Sequence, residues 1–199
     1  MNGGDRYLIV PFAGERFLSW PDQPLVAPPI RGTAKKQGEL RRAVIDCIEH
    51  SVRQTALKKG VSRRTDVLGA LHAAGEQLAV ERGGAKDIYV ATDGYASKGC
   101  ARLKIGKVLS DDDIARIVEG CHAELPRNLS GVPVHIVGIG TSSSKMREAS
   151  PVAIASVGRL WEALCRQITE TCSVRTGAPS GDAADPSPQA TRPEREGDT

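Results

Sequence analysis

The chain has 199 residues, of which 40% are apolar and 26% charged, with a formal net charge of +3. That composition excludes a collagen, a coiled coil and a wholly disordered chain, and predicts one globular domain with an appendage. Aromatics make up only 4%, so a core must be filled with Val, Ile, Leu and Ala, as under a helix-covered parallel sheet, and with so small a charge nucleic acid is not an expected partner.

In chain order, residues 7–12 (YLIVPF) read as a short apolar strand and residues 16–20 as an edge strand, followed by a proline-rich stretch, 21–29, that cannot be a central strand. Residues 39–59 place Leu40, Val44, Cys47, Ile48, Val52 and Ala56 at helical spacing, which predicts a helix lying on a sheet face. Residues 65–80 (TDVLGALHAAGEQLAV) predict a second helix capped by Thr65 or Ser62. A buried strand, 87–91, then runs into Thr92, Asp93 and Gly94, and another, 132–137, runs into Gly138, Ile139, Gly140, Thr141, Ser142, Ser143 and Ser144. Between them Ser110 and Asp113 form a capping box for a helix reaching about Leu125 and stopped by Pro126. Residues 151–172 predict a last helix with Leu160, Trp161, Leu164, Cys165 and Ile168 on its inner face. Residues 176–199, with five acids against two bases and no apolar residue larger than Ala, are expected to be a disordered tail, leaving 1–175 as the folded domain. The alternation of strand and helix predicts an α/β fold with a mainly parallel sheet and helices on both faces.

The five cysteines, Cys47, Cys100, Cys121, Cys165 and Cys172, form no C-x-x-C pair, so no zinc knuckle or redox dithiol is encoded and buried thiols are expected. On a continuous helix Cys165 and Cys172 stand two turns, or about 10 Å, apart, too far for a disulfide. Residues 98–107 carry Lys98, Arg102, Lys104 and Lys107, which read as a solvated face; Cys100 among them has no neighbouring His or acid to make it catalytic. His50, His72, His122 and His135 lack metal-ligand spacing.

In an open parallel sheet, ligands bind where the carboxyl ends of the strands gather. Thr65 with Asp66, the Thr92-Asp93-Gly94 turn, and the 138–144 loop all map to that edge. The run RTDVLGAL (64–71), then IYVATDG (88–94), then GVPVHIVGIG (131–140), resembles the von Willebrand factor A family, whose members carry a T-D-x-x-x-A-L helix start, a strand ending in (S/T)-D-G and a G-V-x-V-x-x-(V/I)-G-x-G strand in this order. The opening GGDRYLIVPFAGERF (3–17) is similar to the family's second strand, so the resemblance spans roughly 3–172. It implies a protein-interaction module, not an enzyme, with Thr65, Asp66, Thr92, Asp93, Gly94, Gly138, Gly140, Thr141 and Ser142 on partner-facing loops and a protein as the partner. It also implies a metal-ion-dependent adhesion site in which Thr65 and Asp93 would contact Mg²⁺ or Mn²⁺. The family's D-x-S-x-S loop occurs nowhere in the chain, so that site is partial or lost and the sheet is N-terminally incomplete or rearranged. A start codon set too far downstream would explain both.

The alternative reading is a small doubly wound enzyme that binds a nucleotide or phosphate on the 138–144 loop, with Asp93 on Mg²⁺. No apolar run approaches the roughly 20 residues that cross a bilayer, and residues 1–6 are polar, so no membrane span and a cytoplasmic location are expected if the start is correct.

Overall fold

The computed structural model describes residues 6–7, 12–13, 16–17, 25–26, 32–56, 65–81, 84–141 and 149–177. Four two-residue strands come first: β1 (Arg6–Tyr7), β2 (Phe12–Ala13), β3 (Arg16–Phe17) and β4 (Leu25–Val26). They form two antiparallel pairs, β1 with β4 and β2 with β3. Of the strands expected at 7–12 and 16–20, Tyr7, Phe12, Arg16 and Phe17 are in strands, and 8–11 and 18–20 lie outside the described residues. Among the described residues they do not join the parallel sheet.

Helix α1 (Ala34–Ala56) starts five residues before the expected position. Thr33 caps it, its carbonyl accepting from Gln37 N at 2.9 Å and its hydroxyl from Lys36 N at 3.4 Å. Of its expected stripe Val44 is buried, Leu40 and Ile48 are half-buried and Cys47 is exposed. No described residue of α1 belongs to the main core cluster, so the packing of this helix on a sheet face is not observed there.

Helix α2 (Val67–Val80) is capped by Asp66 rather than by Thr65: its Oδ1 accepts from Gly69 N at 2.8 Å. Ser62, the other expected cap, lies outside the described residues. Strand β5 (Ile88–Ala91) follows, then α3 (Asp111–Cys121), which continues as a single 3-10 turn, His122–Glu124. The expected cap is present, with Ser110 Oγ accepting from Asp113 N at 3.1 Å. Strand β6 (Val134–Ile139) and helix α4 (Pro151–Ile168) come next, with Ser150 capping α4 through Ala153 N at 3.2 Å.

The last expected helix is too long. Helix α4 ends at Ile168, and its C-cap, Thr169, is extended at φ −150° and ψ 151°. The chain then turns into β7 (Cys172–Thr176). The reason is local: the last residues, TCSVRT, are rich in β-branched side chains that favour a pleated strand over a helix. Thr176 closes β7 and Gly177 N donates to Ile139 O at 3.0 Å, so these two residues belong to the sheet and not to the expected tail. The rest of that tail, 178–199, lies outside the described residues.

Strands β5, β6 and β7 form one parallel sheet in that order, with Ile88 opposite Val134 and Val134 opposite Cys172. Because parallel neighbours in register share a face, Ile88, Val90, Val134, Ile136, Cys172 and Val174 lie on one side, and all are buried in the core cluster or packed against it. With them lie Leu160, Trp161, Leu164, Cys165 and Ile168, the whole expected inner face of α4. The other side carries the rows Tyr89, His135, Ser173 and Ala91, Val137, Arg175. Tyr89 is 71% exposed there and stacks on His135, with ring centroids 4.5 Å apart. His135 Nδ1 lies 2.7 Å from Ser173 Oγ, which gives this mid-strand histidine a structural partner.

Among the described residues the core lies on one face of the sheet, and this has a topological cause. Strand order β5-β6-β7 advances in one direction, and right-handed crossovers repeated in one direction put their helices, here α3 and α4, on the same face. An α/β fold with a parallel sheet is thus observed. Helices on both faces are not, among the described residues.

The cysteines overturn the expectation of buried thiols. Cys100 is disulfide-bonded to Cys121, with Cα atoms 5.1 Å apart, and Cys165 to Cys172, with Cα atoms 5.9 Å apart. The estimate of 10 Å for the second pair assumed a continuous helix, and the end of α4 at Ile168 lets the chain double back. Cys47 is in neither bridge.

Candidate functional site

At the carboxyl edge of the sheet the turns after β5 and β6 are tied to each other. Thr92 N donates to Val137 O at 3.0 Å, and Gly140 N donates to Asp93 O at 2.9 Å. A Cβ on Gly138 would sit 3.2 Å from Thr92 O. The structure therefore brings Thr92, Asp93 and Gly94 beside Gly138, Gly140 and Thr141; Gly138 and Ile139, expected in the loop, are instead the last residues of β6. Ser142, with Ser143 and Ser144, lies outside the described residues.

Each side chain of the Thr-Asp-Gly turn also serves the turn itself. Thr92 Oγ1 accepts from Gly94 N at 3.1 Å, and Asp93 Oδ1 accepts from Tyr95 N at 3.0 Å. Burial pushes the Tyr95 phenol above its ordinary value; the Gly106 amide opposes this and the Asp93 charge adds to it. Gly94 has φ +82°, and a Cβ there would stand 2.7 Å from Ile139 Cδ1 and 2.9 Å from Val157 Cγ1. Only glycine fits this conformation in this space without displacing its neighbours. Above it, Trp161 Nε1 donates to Gly94 O at 2.8 Å, which fixes the turn to α4.

Thr65 and Asp66 reach the same edge through a different loop. Thr65 N donates to Ser97 Oγ at 2.7 Å, while Ser97 N and Lys98 N donate to Thr65 O at 2.9 and 3.2 Å. Ser97 follows Asp93 by four residues, so the start of α2 is bonded to the loop that leaves the Thr-Asp-Gly turn. Neither Ser97 nor Trp161 was singled out as a site residue from sequence. Ser97 has no motif to announce it, and Trp161 reads simply as core.

Two oxygens, from Thr65 and Asp93, are few for a hard divalent cation, which takes six or more oxygen ligands. One Asp93 oxygen already caps the Tyr95 amide, and no group of three or more His, Cys, Asp and Glu among the described residues could hold a metal ion. The described residues do not fit a protein-made cation site. A phosphate cradle fares no better on the described part of its loop. The amides of Gly140 and Thr141 both donate to protein carbonyls, Thr141 N to Gly138 O at 2.9 Å, and Thr141 Oγ1 bonds the same carbonyl.

The basic segment beside the site is exposed at Arg102, Lys104 and Lys107, and Lys107 pairs with Asp113 at 3.4 Å. Cys100 within it is committed to its disulfide and supplies no thiol. No described helix is long and apolar enough to cross a membrane. Compared with known proteins, the chain matches no family model, no curated protein and no solved structure.

Proposed function

We propose that the chain is a von Willebrand factor A-like protein-interaction module, not an enzyme, whose partner-facing surface is formed by Thr65, Asp66, Thr92, Asp93, Gly140 and Thr141; the buried Gly94 and Gly138 shape the turns beneath it, and Ser142 lies outside the described residues. A three-layer sheet of that family's type, with further cover on the Tyr89 face, belongs to the same proposal. The observation that supports it most is the bonding of the Thr-Asp-Gly turn to the Gly-x-Gly turn through Gly140 N and Asp93 O. It makes two separate loops one rigid surface, and binding surfaces built on fixed elements lose less entropy on association. With too few oxygens for a cation, the contact is proposed to be metal-free. Among the described residues of the 138–144 loop the Gly140 and Thr141 amides are engaged internally, which favours the interaction module over the nucleotide-binding alternative.

Two experiments test this. Melting scans in EDTA, Mg²⁺, Mn²⁺ and ATP with Mg²⁺ are expected to coincide, since a ligand at 100 times its dissociation constant would add about 2.7 kcal/mol. A rise with Mg²⁺ or Mn²⁺ that disappears in Asp93→Ala would overturn the metal-free contact, and a rise with ATP alone would establish the nucleotide reading in its place. A photocrosslinking side chain at Thr92 is expected to capture a protein partner in the producing cells, while one at the exposed Arg116 on α3 captures none. Equal capture from both positions defeats the assignment of the surface.

A further inference from the structure

We propose that this chain matures in an oxidising compartment, where Cys100–Cys121 and Cys165–Cys172 are formed, and that Cys100–Cys121 is the brace that keeps the 97–100 segment against Thr65. This replaces the cytoplasmic expectation and is independent of the interaction-module reading.

Four of the five cysteines meet in two pairs, with Cα separations of 5.1 and 5.9 Å, inside the range a disulfide spans. Cys121 and Cys165 are fully buried members of the core cluster, and Cys100 and Cys172 pack against it. Each bridge therefore ties the core to a segment leaving it: Cys121 to the loop after β5, and Cys165 to the start of β7. Structural bridges of this kind persist where thiols are oxidised and are rare where thioredoxin and glutathione keep thiols reduced. Each forms by exchange with a disulfide-donating oxidant. Two protein thiols lose two protons and two electrons as a new S–S bond forms, and the donor's S–S bond breaks to give two thiols.

The brace follows from what surrounds Cys100. Its amide donates to Glu124 Oε2 at 3.1 Å, just beyond the end of α3. A Cβ on Gly99 would lie 3.3 Å from Asp66 Oδ1, the cap of α2. Ser97 and Lys98 make the three hydrogen bonds to Thr65. The segment is thus held between α2 and α3, and the disulfide is its covalent attachment to the α3 side.

Acid quenching of cells that naturally make the protein, followed by denaturation and PEG-maleimide, tests the compartment. One adduct, on Cys47, is expected before reduction and five after it. Five adducts before reduction would overturn the proposal. The brace is tested by amide exchange on the purified full chain. Selective loss of Cys100–Cys121, in the variant C100S/C121S, is expected to raise exchange at Thr65, Ser97 and Lys98 at least tenfold and to lower Tm by roughly 5–15 °C. The variant C165S/C172S is expected to leave those three amides protected. Unchanged exchange at Thr65, Ser97 and Lys98 in the first variant would overturn the brace. If a variant does not fold, stepwise reduction of the native protein with the same exchange readout gives the answer.

Discussion

Gly94 is where a single atom decides most. An alanine there must take φ +82° and set its Cβ within 3 Å of Ile139 and Val157, so Gly94→Ala is expected to cost about 2–4 kcal/mol, measured by urea unfolding. An unchanged midpoint would show that the turn can relax away from α4. Asp66→Ala removes the carboxylate that accepts from Gly69 N and is expected to cost about 1 kcal/mol, whereas Thr65→Val, which keeps the backbone bonds to Ser97, should cost less. The sequence motif led to Thr65 and Asp93 because their types and order recur at such an edge. It misassigned the cap because Thr and Asp are both good N-caps and adjacent here. The link between Thr65 and Ser97 was not legible, since it joins residues 32 apart through a loop with no periodicity of its own.

Among the elements, those with dense local signals agreed best. Helix α3 begins where Ser110 and Asp113 place it, and α4 buries Leu160, Trp161, Leu164, Cys165 and Ile168 as its periodicity demands. Its far end was misread because apolar spacing alone does not mark a stop, and no glycine or proline follows Ile168 closely. Leu164→Ala on α4 is expected to cost about 2–5 kcal/mol by the same unfolding measurement, because the side chain is fully buried. At the start of α3, desolvation would raise the Asp113 carboxyl, but the Ser110 N–H, Lys107 and Arg116 outweigh it and hold the carboxyl below its ordinary value. The carboxylate's contribution is therefore present above the unfolded aspartate range and lost as pH falls through the lower folded value. Asp113→Asn should remove that part of the acid dependence of Tm, and an acid limb identical to wild type would show that other carboxylates carry it. The exposure of the group makes the effect small.

On the scale of the whole molecule, the parallel sheet was legible from two apolar strands separated by a capped helix, and the exposure of Tyr89 on the other face, among the described residues, was not. That exposure depends on strand order, which no local pattern encodes and which handed crossovers convert into α3 and α4 lying on one face. The pairing of the cysteines was hidden for the same reason, since it depended on where α4 stops. The two bridges also change how the molecule would carry mechanical load. A pull applied beyond Gly177 passes from β7 through Cys172 directly into Cys165, in the buried last turns of α4, and bypasses the six residues between them. The other bridge takes the 20 residues between Cys100 and Cys121 off the load path. In single-molecule stretching the oxidised chain should therefore release on the order of 90 Å less contour length than the reduced chain, and it remains a shorter tether when its fold gives way.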